Sequence, residues 1–198
     1  VEVIGCPRLD PFPAELRSLH DPLVVAFAWH WDAPIVPESR WSFPEWRHSM
    51  VALTQSGEYQ VIGTGHPRLW GQFQAFYDRH GIEAVADPNE VLERADVVCF
   101  DNTSLGYEGM ACGRGVVGLN ASWYRRMVHH GLRFWDLAPP ISLWPDEWAM
   151  LPVAIQDCVL PMHRQETLTM ARSVYPPETR GRATRLAVEA ILSFVKEH

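Results

Sequence analysis

The sequence lacks the patterns by which most phosphate, metal and ester chemistry announces itself. It has no Walker loop and no complete G-x-G-x-x-G, and Gly63-Thr64-Gly65 is too short for either. H-E-x-x-H, D-x-D and clustered Cys/His are missing, so no metal and no resident cofactor is expected. G-x-S-x-G does not occur, which removes the usual esterase elbow. The four cysteines, Cys6, Cys99, Cys112 and Cys158, are scattered, with no C-x-x-C pair. Two of them sit inside apolar stretches, where free Cys behaves as a small hydrophobe. That argues against a zinc knuckle and for a reducing compartment, read here as the cytoplasm. No apolar run approaches the ~20 residues that span a bilayer, so no transmembrane segment is expected. Positive charge is short as well: the net charge is −7, and a duplex-binding surface needs clustered Lys and Arg, so nucleic acid is not an expected partner. Repeats and low-complexity tracts are absent. Asn120-Ala121-Ser122 matches a glycosylation sequon, a tripeptide too common to carry weight alone.

What is present is a chain of 198 residues, 47% hydrophobic and 21% charged, long enough for a real core. Short Val-rich runs alternate with amphipathic segments. Strands are predicted at Pro22–Trp29, Tyr59–Gly65, Ile82–Ala86, Asp96–Asp101 and Gly115–Asn120, bounded by Gly, Asp or Pro as doubly buried strands are. Helices are predicted at Trp41–Ser56, Leu69–His80, Pro88–Ala95 and Ser104–Cys112. The third opens with Asp87 as N-cap and Pro at the first helical position. This alternation predicts βαβ units: an α/β fold, a Rossmann-like parallel sheet flanked by helices. Beyond a Pro- and Trp-rich stretch, and a loop after Pro161 in which His163 and Arg164 are expected, Thr179–Lys196 reads as an amphipathic C-terminal helical tail.

In open parallel sheets, ligands bind beyond the carboxyl ends of the strands. The turns that follow the apolar runs are therefore the candidates. Thr103 and Ser104 stand between an apolar strand and an apolar helix, where backbone amides and the helix dipole favour an anion. Glu108 lies four residues after Ser104, on the same face, where a carboxylate could accept hydrogen bonds from a ribose diol. A plain helix cap with a solvated glutamate explains the same residues, and both readings stay open. His66, held between Gly65 and Pro67, could donate to a departing phosphate oxygen or move a proton; it could equally be a structural loop histidine. Arg68 could add a bidentate phosphate contact. His30, between Trp29 and Trp31, either lines the same cleft or packs. The His129-His130 pair, at the end of a predicted helix, is assigned no chemistry.

Four segments, in order, resemble the C-terminal, donor-binding half of GT-B-fold transferases, and among them the CDP-glycerol glycerophosphotransferase family, with the UDP-N-acetylglucosamine 2-epimerase type nearby. "VIGCPRLDPF" is similar to a Gly-x-Pro-Arg-x-Asp segment by which such chains enter their second domain. "PLVVAFAWHWD" stands where the family has a strand and an "APTWR"-like loop, "YQVIGTGHPR" resembles the strand ending in His-Pro, and "DNTSLGYE" resembles its D-Y-S-S run with an acidic residue beyond. The resemblance implies that His66 is a catalytic or diphosphate contact, that Thr103 and Ser104 hold phosphate, and that Glu108 binds ribose. Asn102 stands where the family has Tyr, and His30 falls in the loop that carries a basic residue in the family. It implies an interdomain-type segment over 1–21 and a donor-binding domain with a C-terminal helix over 22–198. It further implies transfer of a glycosyl or polyol-phosphate group from a nucleoside-diphosphate donor to a hydroxyl acceptor. An acceptor-binding N-terminal domain, or a partner subunit in its place, would be required, and a cut from a longer polypeptide is the expectation. A sugar-nucleotide epimerase and a non-catalytic assembly module, the latter suggested by the tryptophans from Trp123 to Trp148, are the alternatives.

Overall fold

The computed structural model describes residues 3–35, 40–124 and 141–197. His129, His130 and the middle of the Trp123–Trp148 stretch lie outside these residues. Among them, six strands form one wholly parallel sheet: β1 (Val24–Trp29), β2 (Gln60–Gly65), β3 (Glu83–Ala84), β4 (Val97–Phe100), β5 (Gly115–Leu119) and β6 (Ser142–Leu143), in the order β3-β2-β1-β4-β5-β6. The chain leaves β1 towards β2 on one side and later returns to β4 on the other. β1 and β4 therefore flank the point at which the strand order reverses.

Each face of the sheet is covered. Successive side chains of β1 point to opposite faces, so Val25, Phe27 and Trp29 enter one apolar layer while Val24, Ala26 and Ala28 enter the other. The first layer is closed by α1 (Phe43–Ser56), α2 (Trp70–His80) and α5 (Leu151–Cys158), through Trp46, Met50, Phe73, Tyr77 and Ile155. The second is closed by α3 (Pro88–Arg94), α4 (Leu105–Ala111) and α6 (Pro161–Ala171), together with Leu9 and Phe12 of the leading segment. Because β1, β4 and β5 are buried on both faces, they read as unbroken apolar runs. α1 and α2 stop at Gly57 and Gly81, both with left-handed φ (70° and 66°), and the Asp87 side chain caps α3 by accepting from the Asn89 amide at 2.9 Å.

Three expectations are corrected. β3 pairs only over Glu83–Ala84, because it is an edge strand with a neighbour on one side. His163 and Arg164 are not in a loop: Pro161 starts α6, as Pro can at a first turn, and Arg164 is buried there, donating to the Gly113 carbonyl (2.9 Å) and the Arg17 carbonyl (2.8 Å). The last helix, α7, runs Ala183–Glu197; Pro177–Thr179 before it forms a separate 3₁₀ turn. The Asp10 carboxylate accepts from the amides of Ala183 (2.8 Å) and Thr184 (2.9 Å) at the start of α7, which ties the leading segment to it. Much of the apolar face expected of this helix is exposed, at Val188, Ile191 and Leu192.

Candidate functional site

A carboxylate stands at each end of β4. Before it, Asp96 is buried and accepts from the amides of His20 (3.2 Å) and Val24 (2.9 Å). After it, Asp101 is fully buried and accepts from the amides of His30 (2.8 Å) and Ser42 (3.0 Å). Asp101 therefore ties the ends of β1 and β4 to the start of α1, at the carboxyl edge of the sheet. Burial pushes its pKa up to about 7, against the pull of amides from Ser42, His30, Thr103 and Asn102, which favour the ionised form.

Above this floor lies a cleft of about 270 Å³, walled by Arg8, Trp29, Thr64, His66, Thr103 and Ser104 among others. The ends of β1 and β2, the start of α4 and the leading segment thus meet at one place. The close fit of α4 on the sheet depends on Gly106, where a Cβ would overlap the Phe100 ring.

His66 continues β2: its amide donates to the Trp29 carbonyl at 2.9 Å, as the strand ladder would require. Its Nδ1 accepts from the Arg68 amide at 3.1 Å, which assigns the proton of the neutral ring to Nε2. Partial burial, then the proximity of His30 and Arg68, lowers its pKa, so the imidazole is a neutral donor rather than a cation. The His30 ring lies 5.8 Å from that of His66, and its Nδ1 is 2.9 Å from the Trp31 carbonyl. Arg68 is exposed and its guanidinium rests 4.3 Å over the Trp31 ring, outside the cleft wall. Asn102 also faces elsewhere, donating to the Arg40 carbonyl at 3.2 Å. The turn after β5 is taken up structurally, since Ser122 donates through its amide (2.8 Å) and hydroxyl (2.7 Å) to Glu45.

The Thr-Ser pair divides its work. Thr103 Oγ1 accepts from the Leu105 amide at 3.4 Å, a loose cap that leaves its hydroxyl proton for a ligand. Ser104 Oγ instead donates to Glu108 at 3.3 Å. Glu108 is buried, and its carboxylate also accepts from Arg8 Nη1 at 3.1 and 3.4 Å. Arg8 is therefore part of the cleft wall, and Asp101 is a buried support that does not itself line it; neither was a candidate from the sequence. The signal for Asp101 was a carboxylate ending a wholly apolar strand. That for Arg8 was its Pro-Arg-x-Asp setting, and nothing local could place it against a residue so distant in the chain. Among the described residues no group of three or more His, Cys, Asp or Glu could hold a metal ion, and no helix is long and apolar enough to cross a membrane.

No family model matches the chain, and no curated protein does. Solved structures do. The wall teichoic acid polymerase TagF matches with a TM-score of 0.52 at 15% identity, over 93% of this chain and 46% of that one. A TagF structure soaked with CDPG matches at 0.52 and 14%, over 93% and 44%. TarM of S. aureus, in complex with fondaparinux, alpha-GlcNAc-glycerol and UDP, matches at 0.50 and 10%, over 87% and 36%. The chain spans less than half the length of each. At such identities the likeness establishes the fold alone: a Rossmann-like α/β domain of the kind these structures contain.

Proposed function

We propose that this domain binds the nucleoside-diphosphate-activated donor of a transferase and presents it to a hydroxyl acceptor. The observation that carries the reading is the cleft beside the strand-order switch, where His66 at the end of β2 and Thr103 at the start of α4 share one wall. In the transfer, the acceptor oxygen forms a bond to the glycosyl carbon or to phosphorus, and the bond to the leaving nucleotide breaks. Negative charge then grows on a phosphate oxygen of that nucleotide. His66 Nε2–H and the Thr103 hydroxyl are donors suited to meet it, and donors aimed at developing charge are worth several kcal/mol. The acceptor loses its proton to a base, which this reading assigns to an acceptor-binding domain or partner subunit. The neighbours support the assignment by their fold and by what their structures hold, CDPG in one and UDP in another. The donor base, the group moved and the acceptor are left open by the same reading. The four free thiols, three of them buried, fit a cytoplasmic setting.

Calorimetry with CDP, UDP and GDP tests the proposal. One of them should bind with one site per chain, at micromolar to millimolar affinity. If none binds at millimolar concentration, the donor-site assignment falls.

A further inference from the structure

Glu108 is placed badly for a ribose contact. Its carboxylate is buried and already holds Arg8 and Ser104. Arg8, by contrast, is placed well for an anion. It stands in a 3₁₀ turn, Pro7–Leu9, that is fixed from both sides: Leu9 is sunk in the core and Asp10 is bound to the start of α7. From there the side chain reaches the cleft wall and remains 43% exposed. Its hydrogen bonds to the described residues run through Nη1 alone. Nη2 and Nε stay available, and a guanidinium that can present such a fork binds phosphate oxygens in pairs. The other basic group on the wall, His66, is a neutral donor, and the Arg68 guanidinium lies over Trp31 instead. Among the described residues, the charge needed opposite a diphosphate thus has one source on this wall.

We propose that Arg8 is the cation presented to the donor's diphosphate, and that Glu108 is a positioning residue that aims it rather than a ribose acceptor. This rests on the donor-site reading and, within it, replaces the ribose contact that the resemblance implied for Glu108. The Ser104 hydroxyl, bonded to the other side of the same carboxylate, belongs to that support.

The test is a set of binding titrations on Arg8→Ala, Arg8→Lys, Glu108→Ala and the double Ala variant, each with CDP and with inorganic pyrophosphate, which has no ribose. Arg8→Ala should weaken both ligands about tenfold or more, the loss of a charge-assisted pair. Arg8→Lys should recover part of it, since charge is kept and the fork is lost. Glu108→Ala should weaken CDP and pyrophosphate in the same proportion. The double variant should then be no weaker than Arg8→Ala alone, the non-additivity expected of residues acting as one unit. Melting curves on each variant separate this from a merely structural clasp, which would move stability and leave the affinity of the folded protein alone. Wild-type binding of CDP with Arg8→Ala unaffected would overturn the proposal and leave the donor site standing. So would a Glu108→Ala variant that loses CDP but keeps pyrophosphate, which is the signature of a ribose contact. A wild-type protein that binds neither ligand would instead defeat the donor reading itself.

Discussion

Asp101 holds the cleft floor through its two oxygens separately, Oδ1 for the His30 amide and Oδ2 for the Ser42 amide. Asparagine keeps the shape but can accept on one side only, so one buried amide would face an NH₂ group. Asp101→Asn should therefore cost about 1–3 kcal/mol, read from urea denaturation, and a change below about 0.5 kcal/mol would remove Asp101 from its place as a tie. The pH dependence has a definite sign. The carboxyl titrates at about 7 in the folded protein against 3.8 in an unstructured chain. Between those values the folded protein keeps a proton that the unfolded chain has released. Stability from this group is greatest at the acid end of the window and declines as pH rises towards 7, with a slope of at most about 1.4 kcal/mol per pH unit. The advantage of wild type over Asp101→Asn should thus widen as pH falls from 8 to 5. The opposite trend would mean that the amides outweigh burial and the carboxylate stays ionised. His66, whose pKa is lowered, acts with the other sign, losing stability as pH falls through its ordinary range. It titrates in both proteins, so the difference isolates Asp101.

At the scale of elements, the position of α4 decides where Thr103 and Ser104 stand, and Gly106 decides how near α4 comes to β4. A methyl at Gly106 meets the Phe100 ring, whereas one at Gly71, in α2, meets nothing within 4 Å. Gly106→Ala should destabilise by about 1–3 kcal/mol and lower the affinity for CDP by displacing the wall. Gly71→Ala should stabilise by about 0.5–1 kcal/mol and leave affinity unchanged. Thermal melts and titrations on the pair check both, and equal effects at the two positions would count against the close-approach argument. The same elements indicate what could be read from the chain. The buried strands β1, β4 and β5 were legible because burial on both faces leaves an apolar run bounded by turn residues. α1 and α2 were legible by their glycine stops. α5 and α6 were not: Pro161, after which a loop was expected, and Pro152, in a stretch read only as Pro- and Trp-rich, occupy first-turn positions where no amide hydrogen bond is lost. The site was half legible. His66 and Thr103 followed from strand-end position, but the partners that decide what Ser104 and Glu108 can do come from Arg8, 100 residues from Glu108 in the chain.

The net charge of the chain and the cation on the cleft wall have opposite signs, and this has a measurable result. The formal net charge is −7, so at long range the protein repels a nucleoside diphosphate, while at contact Arg8 attracts it. Long-range repulsion is the term that salt removes. The Debye length falls from about 30 Å at 0.01 M to about 8 Å at 0.15 M ionic strength, so the field of the distant acidic groups is largely gone at the higher value. A contact pair a few ångströms apart in a partly enclosed cleft is screened much less. The rate at which CDP associates, measured by stopped flow, should therefore rise or hold level across that range of salt. By contrast, a site reached through a basic surface loses association rate steeply as salt is added. Any gain should be no more than several-fold, because seven charges spread over a domain of this size act at about 20 Å in a medium close to water. The dissociation rate should carry the effect of Arg8→Ala and the association rate the effect of salt, since contact and approach are separate terms. An association rate that collapses with added salt would mean that the ligand approaches along a positive path that the net charge conceals, and the balance of signs drawn here would be reversed.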